Sequence, residues 1–212
     1  MSKLDALVDL IKDEELVYIQ THNFPDHDAV TSAFGLQYIL SHKGIPSKLI
    51  YEGNISRTSL LKLMEDVNID IVHSSEYDIK EEDKIIIVDG CKGNKNVTDL
   101  IGDEIGVIDH HEVEKPDDVP FADIRSDYGA CSTLIFMYFK EMGIEMPRNI
   151  ASALLVGIEV DTAQLTRGVS MEDLTAYYEL FKIADINYVN NILRNYIQTK
   201  DLEFYKQAID KV

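Results

Sequence analysis

Strands that alternate with helices along this chain predict an α/β fold, a mainly parallel, doubly wound sheet flanked by helices. Two runs carry the strand side of that reading, residues 84–88 (Lys-Ile-Ile-Ile-Val) and residues 105–108 (Ile-Gly-Val-Ile). Both are short and apolar, and each is followed at once by an aspartate. Such continuous runs suit strands buried on two faces, as in a parallel sheet. The character of the chain changes after Gly168, which adds a C-terminal helical extension. The expected division is therefore an α/β domain over residues 1–168 and a helical extension or connector over 169–212.

The elements follow in order. Leu4, Leu7, Val8 and Ile11 fall at i, i+3, i+4 and i+7, the stripe of an amphipathic helix. Residues 16–20 read as a first strand ending at Thr21-His22, and residues 22–28 as a loop, from Pro25 and their polarity. A helix over 29–42 is stopped by Gly44 and Pro46. A strand over 48–51, a short helix face made by Leu60, Leu61, Leu63 and Met64, and a strand over 69–72 come next. The strand over 84–88 ends in Asp89-Gly90; a loop around Gly93 and a short segment over 97–101 lead to the strand before Asp109-His110-His111. Pro116 and Pro120 mark a loop, and residues 121–124 suit an edge strand. Gly129 introduces a helix over 130–142, and Pro147 opens another that runs towards Gly157 and Asp161.

Beyond Gly168 lie three helical stripes: Leu174, Tyr177, Tyr178 and Phe181; Val189, Ile192, Leu193 and Tyr196; Leu202, Tyr205 and Ile209. Tyrosines on such faces serve packing or interfaces more often than cofactor binding. This tail is expected to cap the sheet, to link to a further segment, or to form a homodimer.

Charge narrows the function. Lys plus Arg number 20 against 38 Asp plus Glu, a net charge of −18. A chain this acidic has no general attraction for a phosphate backbone, so long duplex nucleic acid is not an expected partner. Bound divalent ions would reverse the field locally. The sequence holds no uninterrupted apolar run of about 18 residues, so no membrane span is expected. Its first residues, Met1-Ser2-Lys3-Leu4-Asp5, do not resemble a secretory signal. Cys91 and Cys131 make neither a disulfide framework nor a zinc spacing, which points to a reducing cytoplasm.

Four segments end in groups that can hold a metal. The first loop offers His22, Asp26 and Asp28, although either acid can simply cap the helix that follows. Asp89 directly follows four apolar residues, where an acid needs a partner; the backbone of the next turn could be that partner. Asp109-His110-His111 is the third place. Asp161 is the fourth, at the end of an apolar run, and can equally be a helix-end residue in water. Mixed carboxylate and imidazole donors suit Mn²⁺, Mg²⁺, Co²⁺ or Fe²⁺ better than a thiolate-seeking ion.

The motifs His22-x-x-Pro25-Asp26-x-Asp28-Ala29-x-x-Ser32, Val88-Asp89, Asp109-His110-His111 and Gly157-Ile-x-x-Asp161-Thr162 resemble those of the DHH phosphoesterase superfamily. That superfamily includes RecJ-type exonucleases, nano-RNase/pAp phosphatases, cyclic-di-AMP phosphodiesterases, exopolyphosphatases and manganese-dependent pyrophosphatases. The resemblance spans residues 15 to about 170 and implies a parallel α/β catalytic domain. It implies two divalent ions, Mn²⁺ above all with Mg²⁺ or Co²⁺ as substitutes. One would be held by His22, Asp26 and Asp89, the other by Asp28, Asp89, His110 and Asp161. Asp109 would stand behind these ligands and orient the His110 ring, and His111 would face the substrate phosphate. The chemistry would be two-metal activation of water, with Asp109 and His111 as catalytic groups. Arg167 is a candidate phosphate clamp, since a guanidinium suits bidentate oxyanion binding, or else an ordinary surface charge.

Some residues depart from the pattern. His27 stands between the two acids and either reaches the ligand or turns away into packing. Cys91, two residues after Asp89, is read as a core residue or as a support behind the ligands rather than a nucleophile, and His42 and His73 as surface or helix-end residues. Nothing after Gly168 resembles the glycine-rich, His-containing motif of the family's second domain. The leading expectation is a phosphoesterase acting on a small nucleotide or short oligonucleotide. Hydrolysis of pyrophosphate or polyphosphate is the second reading, and a metal-dependent nucleotide-binding module without turnover the third.

Overall fold

A computed structural model of the chain describes residues 2–194 and 199–211. Six strands form one sheet: β1 (Val17–Thr21), β2 (Ser47–Tyr51), β3 (Ile71–His73), β4 (Lys84–Val88), β5 (Asp103–Asp109) and β6 (Phe121–Ile124). Every pairing is parallel and the order is β3-β2-β1-β4-β5-β6. The α/β reading holds, and residues 121–124 do form an edge strand. The helices are α1 (Leu4–Ile11), α2 (His27–His42), α3 (Thr58–Val67), α4 (Cys131–Met142), α5 (Arg148–Asp161), α6 (Met171–Ile183), α7 (Ile186–Arg194) and α8 (Thr199–Ile209). Tyr196, the last residue of the second tail stripe, lies outside the described residues.

The two sheet faces are closed differently. On one, Val17, Ile19, Ile86, Val88 and Ile108 join a core built with apolar residues of α1 to α7. On the other, Tyr18, Ile85, Ile87 and Val107 pack against Cys91, Val97, Val119 and partly buried Leu100 and Val113. Those partners lie in the connections from β4 to β5 and from β5 to β6. Successive connections run outward in opposite directions from the centre of the sheet, and right-handed crossovers then fall on opposite faces. Here the helices fill one face, and irregular chain fills the other. The segment over 97–101 is part of that irregular cover.

Between β1 and β4 the direction of winding reverses. In an open α/β sheet this switch point, outside the carboxyl ends of the strands, is where a crevice opens for ligands. The tail divides in its packing: Ala176 and Leu180 of α6 and Val189 and Ile192 of α7 join the main core, while residues 202–211 are all exposed. No helix among the described residues is long and apolar enough to cross a membrane.

Candidate metal centre

Register brings the polar residues together. Thr21 pairs with Val88, and Val88 with Ile108, so the next residues of the three chains emerge side by side at the switch point. Those residues are His22, Asp89 and Asp109, the last still the final residue of β5. Asp89 takes φ +57°, a left-handed conformation uncommon outside glycine, asparagine and aspartate, and its N–H donates to the Ile108 carbonyl at 2.9 Å. The turn thereby aims the carboxylate across the cleft.

Helices supply the rest. Asp26 caps α2, its Oδ1 accepting from the N–H groups of Asp28 (3.0 Å) and Ala29 (3.2 Å). Asp28, in the first turn of α2, reaches the start of α4 instead: Oδ2 accepts from Cys131 N–H (2.7 Å) and Oδ1 from Ser132 N–H (2.9 Å). The α4 cap position is Ala130, which has no side chain able to satisfy those amides. Of the two acids expected as caps of α2, Asp26 takes that place, while Asp28 accepts from the first amides of α4. Asp161 comes from the last turn of α5.

Three groups of ligand atoms result, each with all its atoms within 4.8 Å of one another: His22, Asp26 and Asp89; Asp28, His110 and Asp161; Asp89, His110 and His111. Asp89 and His110 are shared. His22 Nε2 lies 3.9 Å from Asp26 and 3.7 Å from Asp89. His110 Nε2 lies 3.3 Å from Asp89, 3.2 Å from Asp161 and 3.8 Å from Asp28. Asp89 Oδ1 and His110 Nε2 are buried yet have no hydrogen-bond partner. Buried polar atoms facing one another without a hydrogen bond fit a cation between them.

The rings are preset for that task. His22 Nδ1 is 2.9 Å from the Asn23 carbonyl and His110 Nδ1 is 3.1 Å from the Tyr128 carbonyl. A carbonyl can only accept, so each Nδ1 carries the proton and each Nε2 is left for coordination. The expected role of Asp109 needs correction here. Its Oδ1 accepts from the N–H groups of His110 and His111 and from His111 Nδ1 (2.8 Å), so it orients the His111 ring and not the His110 ring. A residue two positions on can fold back over an aspartate at a strand end, whereas the His110 ring points away towards the 128–132 turn.

Crowded acids set the electrostatics. Burial, followed by the Asp89 charge, pushes Asp28 up to about 8. Burial likewise raises Asp89. For His110 burial opposes protonation, but the Asp161 and Asp89 carboxylates overcome it and hold the ring up to about 12. Burial pushes Asp161 up, but His110, His111 and Arg167 together more than offset it and leave the carboxyl lowered. His111 is raised, chiefly by its hydrogen bond to Asp109.

Other residues fall where they can be placed. Half-exposed His111 turns its Nε2 away from Asp109. Exposed Arg167 donates from Nη2 to the Asp161 carbonyl at 2.7 Å, which brings it to the rim. His27 is buried with Nε2 3.0 Å from Ser59 Oγ, away from the ligand atoms, and burial lowers it to about 4. Cys91 is buried and free. Sequence reasoning missed the Tyr128 carbonyl and the Cys131 and Ser132 amides. The signal for the amides was a helix start with no capping side chain at Ala130. Phe24 was missed too: it is 67% exposed, takes φ +55°, and its ring lies against Gly53.

The DHH family, N-terminal domain, matches residues 16–158, and the chain belongs to that family. An uncharacterised protein of Methanocaldococcus jannaschii is 29% identical over 191 residues, 90% of this chain and 40% of that protein. A probable manganese-dependent inorganic pyrophosphatase of Lactiplantibacillus plantarum is 28% identical over 180 residues, 82% of this chain and 57% of that one. Among solved structures, an exopolyphosphatase-related protein from Bacteroides fragilis superposes with a TM-score of 0.83 at 20% identity, over 98% of this chain and 64% of that one. That likeness concerns the fold. The chain spans about half the length of the curated relatives it matches.

Proposed function

We propose that residues 1–168 form the catalytic unit of a phosphoesterase that uses two divalent ions, with 169–212 as a helical extension. The observation that carries this is the sharing of Asp89 and His110 among three overlapping ligand groups. His22, Asp26 and Asp89 would hold one ion; Asp28, Asp89, His110 and Asp161 the other. Carboxylate and imidazole donors suit Mn²⁺, and the related pyrophosphatases are named as manganese-dependent. When bound, the ions would supply Lewis acidity and an acidified water for attack on phosphorus. The chain's own groups do the rest. Asp109 holds the His111 ring so that its outward nitrogen can donate to a phosphate oxygen or the leaving group. Arg167 stands at the rim as an oxyanion partner.

For the substrate, exposed Phe24 favours a small nucleotide or short oligonucleotide. It lies between His22 and Asp26 and offers an aromatic face where a base could stack. The relatives named as pyrophosphatases favour pyrophosphate or polyphosphate as a second reading. One panel separates them: pAp, a dinucleotide, pyrophosphate and polyphosphate with Mn²⁺, on the wild type, Asp89→Asn and Phe24→Ala. Asp89→Asn should lower turnover at least about 100-fold, a loss already reached on removing an outer partner of a ligand. Phe24→Ala should raise the KM for nucleotides alone, since stacking contributes about 1–3 kcal/mol per base. Pyrophosphate turnover without nucleotide turnover would reverse the substrate ranking. Nucleotide binding with no product from any substrate would leave only a binding module.

A further inference from the structure

We propose that Asp173, outside the residues matched by the family, is a positioning residue for the metal-binding cleft, acting through the 128–132 turn. The inference rests on the reading of the cleft given above. Asp173 belongs to α6, and its side chain is fully buried. With Ser170 it forms a capping box: Oδ2 accepts from Ser170 N–H (2.7 Å) and Oγ–H (2.6 Å), and Asp173 N–H donates to Ser170 Oγ (3.1 Å). A capping box needs no more than that and can sit in water. Asp173 does more. Its Oδ2 also accepts from Gly129 N–H at 2.8 Å, and its Oδ1 accepts from the Thr133 hydroxyl. A buried carboxylate with this many donors is anchored, because losing any one of them leaves a charge less well solvated.

The anchored turn is what sets two ligands. Gly129 directly follows Tyr128, whose carbonyl accepts from His110 Nδ1. Cys131 and Ser132, just before Thr133, donate the two amides that hold Asp28. One carboxylate therefore holds Gly129 and Thr133, on either side of Cys131 and Ser132 and next to Tyr128, and so fixes the stretch that aims His110 and Asp28. The junction leaves no slack: a Cβ on Gly129 would lie 2.7 Å from the Gly168 carbonyl and 2.8 Å from both Asp173 Oδ2 and Thr162 Cγ2. His22 and Asp26, on the far side of the cleft, make none of these contacts. The dependence on Asp173 should accordingly be confined to the ion held by Asp28, His110 and Asp161.

The test compares Asp173→Asn and Thr133→Val with Ser170→Ala, which removes the cap hydroxyl but keeps the Gly129 and Thr133 bonds. Amide hydrogen exchange is read by NMR on the metal-free proteins, at Cys131 and Ser132 and, for reference, at Ile19 and Ile86. Mn²⁺ stoichiometry is read by EPR titration. Asp173→Asn is expected to speed exchange at Cys131 and Ser132 at least tenfold more than at the strand amides. It should weaken one Mn²⁺ equivalent about 10- to 100-fold and spare the other. Ser170→Ala should lower the melting temperature and do neither. Equal acceleration at all four amides, or unchanged protection at 131 and 132, would overturn the proposal. If Asp173→Asn does not fold, Thr133→Val decides by the same comparison with a smaller expected effect. A wild type that binds no Mn²⁺ would remove the reading of the cleft, while the exchange data would still decide whether Asp173 holds the turn.

Discussion

Each ring of the cleft is committed through one nitrogen: His22 to Asn23, His110 to Tyr128, His111 to Asp109. The remaining nitrogen of His22 and of His110 faces carboxylates. Without metal, the cleft keeps a proton on His110 up to about pH 12 and favours one on Asp28 up to about pH 8. Coordination requires neutral imidazole and ionised carboxylate, so these protons must leave when an ion enters. Mn²⁺ binding at pH 7 should release protons, and affinity should climb as pH rises. Calorimetry in two buffers of different ionisation heat measures the release; identical heats in both would contradict it. At this scale the residue types and spacings were legible in the sequence. Which group orients which ring was not, because Asp109 and its two histidines are neighbours and only the folded turn separates them.

Among the elements, α2, α4 and α5 meet at Gly157. A Cβ there would lie 2.3 Å from Ser132 Oγ, 2.4 Å from Thr31 Oγ1 and 3.0 Å from Asp28 Oδ1. In an exposed helix, alanine in place of glycine stabilises by about 0.8–1.0 kcal/mol. Gly157→Ala should have the opposite sign, a loss of about 1–3 kcal/mol from overpacking. Mn²⁺ affinity should fall with it, since the displaced Asp28 carboxylate is one of the candidate ligands. Urea unfolding and a Mn²⁺ titration on the variant measure both; a stabilised variant would show that the helices can part without loss. The helices and strands themselves were largely readable from 3.6-residue stripes and apolar runs. The irregular cover of the second sheet face was not, because residues 91–100 and 113–119 bury isolated apolar side chains without a period.

For the whole molecule, 38 acidic against 20 basic residues set the cleft's carboxylates within an acidic body. Ions that bind only the native state should stabilise it, by about 2.7 kcal/mol at a free concentration of 100 times Kd. For a domain of this size that corresponds to a rise in Tm of about 5–10 °C. Scanning calorimetry with Mn²⁺, then with EDTA, should show the rise and its reversal, and Asp89→Asn should lose it. An unchanged Tm in the wild type at saturating Mn²⁺ would count against a metal centre.

By itself, the sequence determined the α/β class, the order of most elements and the four segments that carry ligand-type residues. These are local properties: periodicity, punctuation by Gly and Pro, and an acid at the end of an apolar run. The tertiary structure alone decided that β4 lies between β1 and β5, with Thr21, Val88 and Ile108 in register. That register joins residues about 20 to 90 positions apart, a distance at which no local pattern in the chain carries information. It is also what places Asp89 between the His22 and His110 rings.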